Sequence, residues 1–268
     1  MAAGWLKGRS PGGAQLPFNE HSGHGVEREE VALKTLILCG GKGTRAYPQT
    51  LDLPKPLLEV AGRPVLLHLM EIFADQGVTE FVLAAGHRMD LVQRFVAELP
   101  HGGSVDVVDT GEDTNTGGRV EQCRDRMGAT FYLTYADGLG DVDLAALAAF
   151  HDRHEGAATV TTVPLPSPYG TLDLDAQGRV HRFLEKPRLA DHLINAGFFV
   201  FDRRVFEHWS GDDLEREVLP RLAGAGELYG YQHGGFWQSM DTYKDALALT
   251  ALCEQGQGPW ARSSTDIA

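Results

Sequence analysis

The chain has 268 residues, 43% of them hydrophobic, and a formal net charge of −13. That supplies core for one large domain or two small ones, and the negative charge argues against general binding to nucleic acid or anionic membrane, so an anionic substrate must meet a local basic cluster. Cys39, Cys123 and Cys253 are odd in number and widely spaced, which fits reduced thiols in a cytoplasmic protein and not a disulfide framework, and no apolar run approaches the roughly 18 residues of a spanning helix.

Residues 1–30 are rich in Gly, Pro, His and Ser without periodicity and read as a flexible leader. They lack the apolar core of a signal peptide, and His21 and His24 read as mobile side chains, not ligands. A single domain is expected over 31–262, with a tail at 263–268. Its first strand covers 36–38 and stops at Gly40-Gly41-Lys42-Gly43-Thr44-Arg45. Glycines there let the backbone turn sharply and leave N–H groups uncovered for a phosphate, and Arg45 and Lys55 add two cations. Two other readings stand beside the phosphate loop. It is a plain turn, or Gly41-x-Gly43-x-x-Ala46 with Glu59 downstream is a dinucleotide fingerprint. The fingerprint needs a helix at the loop, whereas Pro48, Pro54 and Pro56 predict an irregular crossing segment.

The periodicity then predicts a helix over 65–76 closed by Gly77, a strand over 81–85, a helix over 91–99 and a strand over 105–108. A polar segment follows over 109–119, then a helix over 120–127 and a strand over 131–135 ending in Ala136-Asp137-Gly138. A helix over 144–154 and a strand over 158–163 lead to a proline-rich loop. Two short strands, 171–173 and 180–184, pair around a turn at 175–178. A strand over 198–201, a helix over 214–222 and a last helix over 243–254 complete the chain. Alternating strands and helices predict an α/β fold, a Rossmann-like mostly parallel mixed sheet with helices on both faces, plus a small β-rich part. Ligands of such sheets bind at the carboxyl ends of the strands, where Gly40, Arg119 and Asp137 all fall.

Asp137 at a strand end reads either as a magnesium ligand or as a turn residue. Asp241, in the second short loop Ser239-Met240-Asp241-Thr242, could be the other carboxylate on the same ion. Asp141 and Asp143 read as helix-capping residues. Glu185-Lys186 reads equally as a sugar and phosphate contact or as a solvated pair, and Asn195 as a sugar contact or a turn residue. Trp237 reads as core, and His151 and His154 as solvated side chains.

Taken in order, these motifs resemble the sugar-1-phosphate nucleotidylyltransferases over about 34–260. Gly-Gly-Lys-Gly-Thr-Arg with Lys55 is similar to that family's signature loop and downstream lysine. Tyr135-Ala136-Asp137-Gly138 is similar to its metal motif, Phe183-Leu-Glu-Lys-Pro187 to its sugar and phosphate motif, and Ile194-Asn195-Ala-Gly to its sugar-contact segment. Thr116-Gly117-Gly118-Arg119, Tyr169-Gly170-Thr171 and Gly235-Phe-Trp-Gln-Ser-Met-Asp-Thr242 resemble the glucose-1-phosphate cytidylyltransferases in particular. Ala46 and Ala136 depart from the usual Leu and Gly, and only 98–105 stands where those enzymes usually carry a long insertion.

The resemblance implies the nucleotide-diphospho-sugar transferase fold and the reaction NTP + sugar 1-phosphate → NDP-sugar + pyrophosphate with Mg²⁺, CTP and glucose 1-phosphate favoured. It implies a catalytic set of Arg45, Lys55 and Asp137. The implied nucleotide site is Leu38, Cys39, Gly40, Gly41, Gly43, Thr44, Thr116, Gly117, Arg119 and Ala136. Tyr169, Gly170, Glu185, Lys186 and Asn195 would bind the sugar phosphate, and Asp137 and Asp241 the metal. It also implies a homo-oligomer. A uridylyl- or thymidylyltransferase and a nicotinamide-dependent dehydrogenase are the alternatives.

Overall fold

The computed structural model describes residues 33–46, 49–99 and 103–260. The leader at 1–30, with His21 and His24, and the tail at 263–268 lie outside the described residues, as does the side chain of Arg45. Among the described residues, seven strands form one sheet in the spatial order Leu228–Gln232, Ala158–Pro166, Arg188–Asp202, Thr130–Tyr135, Thr35–Leu38, Glu80–Ala85 and Ser104–Asp109. Only Arg188–Asp202 runs antiparallel to its neighbours. Thr35–Leu38 lies near the middle, buried on both faces, which is why it reads as an unbroken apolar run.

Alternate residues of the sheet point to opposite faces. Ile37 and Leu83 pack with helices Val65–Ala74, Met89–Ala97, Leu144–His151 and Tyr243–Glu254. Leu36, Leu38 and Ala84 pack with Thr116–Cys123 and Leu219–Gly224 on the other face. The expected mostly parallel sheet with helices on both faces is the observed one. No α-helix follows the glycine loop; the chain makes short 3₁₀ turns at Thr44–Ala46, Gln49–Leu51 and Lys55–Leu57, against the dinucleotide fingerprint. No helix of the described residues is long and apolar enough to cross a membrane.

Several expectations need correction. The third α-helix begins at Thr116, not at 120, and ends at Cys123. Gly117 and Gly118 are poor helix formers, but a Cβ on either would run into Asp212. The first turn is satisfied from far away: Asp212 Oδ2 accepts from the Asn115 N–H (3.0 Å), and the Asp212 carbonyl accepts from the Gly118 N–H (3.0 Å). Orphan donors at a helix start need such partners. The strand expected to stop at 163 continues through Pro164 to Pro166. Its pairing with Leu228–Gln232 ends at Thr162, so the prolines sit where one side needs no N–H.

The strand expected over 198–201 is the end of a 15-residue strand that also carries Asn195. Its register against Ala158–Pro166 shifts twice. Leu228–Gln232 and the ribbon of Gly138–Gly140 with Trp237–Ser239 were not expected at all. His151 and His154 are not both solvated. His151 is buried, and the two rings flank the Thr159 hydroxyl at 2.9 and 2.7 Å. Asp143 caps its helix as expected, accepting from the Ala146 N–H (2.8 Å), but Asp141 instead accepts from the Phe236 N–H (2.7 Å) and meets His233.

The main core is anchored by Phe73, which is fully buried, stacks on Phe198 at 5.7 Å and meets Tyr132 edge-on at 5.8 Å. Phe73→Ala should lower the unfolding free energy by about 3–5 kcal/mol, read from the urea midpoint at unchanged slope.

Candidate active site

A cavity of about 320 Å³ opens at the carboxyl end of Thr35–Leu38. Leu38, Cys39, Gly40, Gly41, Gly43 and Thr44 form one wall, Thr114, Asn115, Thr116 and Arg119 another, and Lys55, Pro56, Tyr135, Ala136 and Asp137 close it. Both rims touch: Lys42, inside the glycine loop, pairs with Asp113 at 2.8 Å.

Two glycines of the loop have separate duties. A Cβ on Gly40 would strike the Arg119 guanidinium. Gly43 takes φ +61°, and a Cβ there would lie 2.9 Å from both the Lys55 Cβ and the Thr50 Cγ2. Gly43 therefore lets the lysine stem pass close behind the loop. Pro54, in an extended conformation, leads into the 3₁₀ turn that begins at Lys55, and Pro56 lies in its first turn, where a missing N–H leaves no donor unsatisfied.

The Lys55 ammonium, 12% exposed, lies 2.5 Å from Asp137 Oδ2 and 2.9 Å from Asp241 Oδ1. The carboxylates come from loops about a hundred residues apart. The Gly138–Gly140 and Trp237–Ser239 ribbon joins them, with Gly138 opposite Ser239, and the Met240 N–H donates to the Asp137 carbonyl at 2.8 Å. Ser239 Oγ donates to Asp241 Oδ2 at 3.2 Å. One cation touches both acids, so they share one small site with an oxygen-only donor set, the type that suits Mg²⁺. Among the described residues no group of three or more His, Cys, Asp or Glu gathers. Asp137 and Asp241 are the two carboxylates that could hold such an ion, since Mg²⁺ can complete its shell with phosphate and water.

Arg119, expected at the nucleotide, lines the cavity with its guanidinium turned to the protein. It is buried, and its guanidinium donates to the carbonyls of Ala85 (3.2 Å), Gly111 (2.8 Å), Gly40 (3.0 Å) and Glu112 (3.3 Å) and to the Thr110 hydroxyl (2.6 Å). Burial lowers its pKa from the ordinary guanidinium value, and these acceptors offset the cost of burying the charge. Arg119 lines the cavity while it pins the glycine loop to the segment after Asp109. Gly117 is buried behind the wall against Asp212.

The sugar-side residues are not gathered into the cavity. Tyr169 and Gly170 precede the hairpin of Thr171–Leu174 and Val180–Leu184, and Glu185 and Lys186 follow it. All but Gly170 are exposed; the Glu185 carboxylate and Lys186 ammonium meet each other at 3.9 Å. Lys186 holds φ +45°, uncommon for a side chain with a Cβ. Asn195 alone connects inward, its Nδ2 donating to the Tyr135 hydroxyl at 3.2 Å. Trp237 is half-buried and donates to the Ala196 carbonyl at 2.7 Å.

The geometry agrees with comparisons against known proteins. The nucleotidyl transferase family matches residues 34–250. The chain belongs to that family. It is 38% identical over 253 residues to the Bacillus subtilis protein named "Probable glucose-1-phosphate cytidylyltransferase", covering 85% of this chain and 99% of that one. It is 35% identical over 254 residues to the glucose-1-phosphate cytidylyltransferase of Salmonella typhi, covering 85% and 98%. The solved structure of HddC from Yersinia pseudotuberculosis shares the fold, with a TM-score of 0.66 at 23% identity over 84% of this chain and 99% of that one.

Within this nucleotidyl transferase, reading the sequence missed Pro56, Thr114, Asn115 and Tyr135 among the residues that line the cavity. Pro56, Thr114, Asn115 and Tyr135 stood inside or beside the recognised motifs.

Burial pushes the Cys39 thiol up to about 12 and the Cys123 thiol up to about 11, and it also raises that of Cys253, which is only half-buried. Native protein at pH 8 should therefore give at most one thiol reacting with Ellman's reagent in minutes, and three in denaturant. A thiol pKa raised by folding stabilises the fold fully below the unfolded value of about 8.5. That contribution should be lost as pH rises from there through the folded values, seen as a falling urea midpoint.

Proposed function

We propose that the chain transfers a cytidylyl group from CTP to glucose 1-phosphate, yielding CDP-glucose and pyrophosphate with Mg²⁺ bound at Asp137 and Asp241. The observation that carries this reading is the Lys55 ammonium held between two carboxylates at a cavity walled by a glycine loop. The names of the B. subtilis and S. typhi relatives favour this base and this sugar.

In this reaction a phosphate oxygen of the sugar forms a bond to the α-phosphorus. The bond from that phosphorus to the bridging oxygen breaks, and pyrophosphate leaves with the electron pair. The attacking oxygen is already anionic, so no general base is required. Two polyanions must be brought together, and the protein's contribution is positioning and charge neutralisation. N–H groups of the glycine loop, with Arg45, receive the β- and γ-phosphates, as phosphate loops do. Lys55 serves the α-phosphate. Asp137 and Asp241 would hold Mg²⁺, which would supply charge neutralisation to phosphate oxygens. Arg119 keeps the Gly40 carbonyl turned away from the phosphates by taking its lone pair. Lys186 meets the phosphate of the sugar, and Tyr169, Gly170, Glu185 and Asn195 meet the sugar itself. The exposed hairpin gives that half room to close on a ligand.

Pyrophosphate release from four NTPs, each paired with several sugar 1-phosphates, tests the assignment; CTP with glucose 1-phosphate should be fastest. Lys55→Ala should reduce the rate by a few hundredfold to a thousandfold, about 3–4 kcal/mol of transition-state stabilisation. Asp137→Ala should remove the Mg²⁺ dependence together with most of the rate. Near-wild-type release by both variants would refute the site.

A further inference from the structure

We propose that Glu215 is a positioning residue that couples the nucleotide half of the cavity to the sugar half. Its Oε2 accepts from the Thr116 hydroxyl at 2.7 Å, and its Oε1 accepts from the Tyr135 hydroxyl. The Tyr135 oxygen in turn accepts from Asn195 Nδ2 at 3.2 Å. A chain of three hydrogen bonds thus runs from a wall of the cavity to the asparagine on the sugar side. The inference rests on the function proposed above.

The direction of every bond follows from donor chemistry. A carboxylate only accepts, so both hydroxyl protons point at Glu215. Tyr135 must then face Asn195 as an acceptor, which turns the Asn195 NH₂ toward it. The other end of the amide is set as well, because Asn195 Oδ1 accepts from the Gly197 N–H at 2.7 Å. Thr116 also accepts from the Leu214 N–H at 3.0 Å. With its proton on Glu215 and one lone pair on Leu214, the Thr116 hydroxyl offers the nucleotide an acceptor and no donor.

The parts are held in place independently of one another. Tyr135 meets Phe199 edge-on at 5.9 Å, and a side chain on Gly197, which has φ +80°, would strike its ring. Glu215 lies in a π-helical turn, Leu214–Val218, where Asp213 Oδ1 accepts from the N–H groups of Glu215 (3.1 Å) and Arg216 (2.8 Å). Such turns are rare, and those inside α-helices often mark functional sites. Glu215 is exposed, and the two hydroxyls it accepts from, those of Thr116 and Tyr135, belong to residues that line the cavity.

The test uses Glu215→Ala, Tyr135→Phe and Thr116→Val in the full chain, with KM and kcat measured for CTP and glucose 1-phosphate and equilibrium binding of each followed by calorimetry. Glu215→Ala should weaken both ligands by about five- to tenfold, the upper part of the range for one ordinary hydrogen bond at an exposed site. Tyr135→Phe should weaken glucose 1-phosphate alone, and Thr116→Val CTP alone, with kcat moving less than KM in each. Tyr135→Phe combined with Glu215→Ala should be no worse toward glucose 1-phosphate than Glu215→Ala by itself, because both break one chain of contacts. All three variants binding both ligands like wild type would overturn the proposal. So would Tyr135→Phe weakening both ligands equally while lowering the unfolding midpoint, the result of a merely structural role. A wild-type protein that binds neither ligand would overturn the underlying site reading, and this proposal with it.

Discussion

The Lys55 ammonium reaches Asp137 at 2.5 Å and Asp241 at 2.9 Å, and to do so it needs three loops from distant parts of the chain held in one place. Two acids this close repel each other unless a cation lies between them. Ion pairs largely withdrawn from water are weak contributors to stability, since desolvation offsets much of the attraction. The loops are therefore held by other means: the Gly138–Gly140 and Trp237–Ser239 ribbon, the Met240 N–H on the Asp137 carbonyl, and the left-handed Gly43 behind the lysine stem. An arrangement that stability does not require is one that function explains.

Arg119 shows how a chain of net charge −13 can bury a cation beside the cavity. Its buried guanidinium binds carbonyls of Gly40, Ala85, Gly111 and Glu112 and so joins the two walls of the cavity. The cation spent on this is not exposed, while Lys55 remains within the cavity wall. The glycine at position 40 is the counterpart of this choice, because no Cβ fits beside the guanidinium.

The two halves of the site have different mechanical footing. The proposed nucleotide half stands on the ends of parallel strands packed on both faces, and its glycine loop is tied down by backbone hydrogen bonds such as His87 N–H to the Gly40 carbonyl. The sugar half stands on an exposed hairpin and on a long strand whose register shifts on either side of Asn195. Tyr135 belongs to both, since it ends a core strand and meets Asn195.

The sequence by itself determined the central parallel strands and the glycine loop. Buried parallel strands must be apolar runs, helices covering them must be amphipathic, and a sharp turn exposing N–H groups needs glycine; each demand is local and leaves its mark in neighbouring residues. Leu36, Phe81, Phe131 and the prolines around Lys55 were legible in that way. What the tertiary structure alone decided was pairing at a distance. Gly117 and Gly118 begin a helix because Asp212 supplies its partners, the short ribbon beside Asp137 forms because two segments about a hundred residues apart meet, and Arg119 turns inward because carbonyls surround it. Glu215 shows the same limit: a hydrogen bond between residues 80 or 99 positions apart follows from the folded path of the chain, and no local pattern records it.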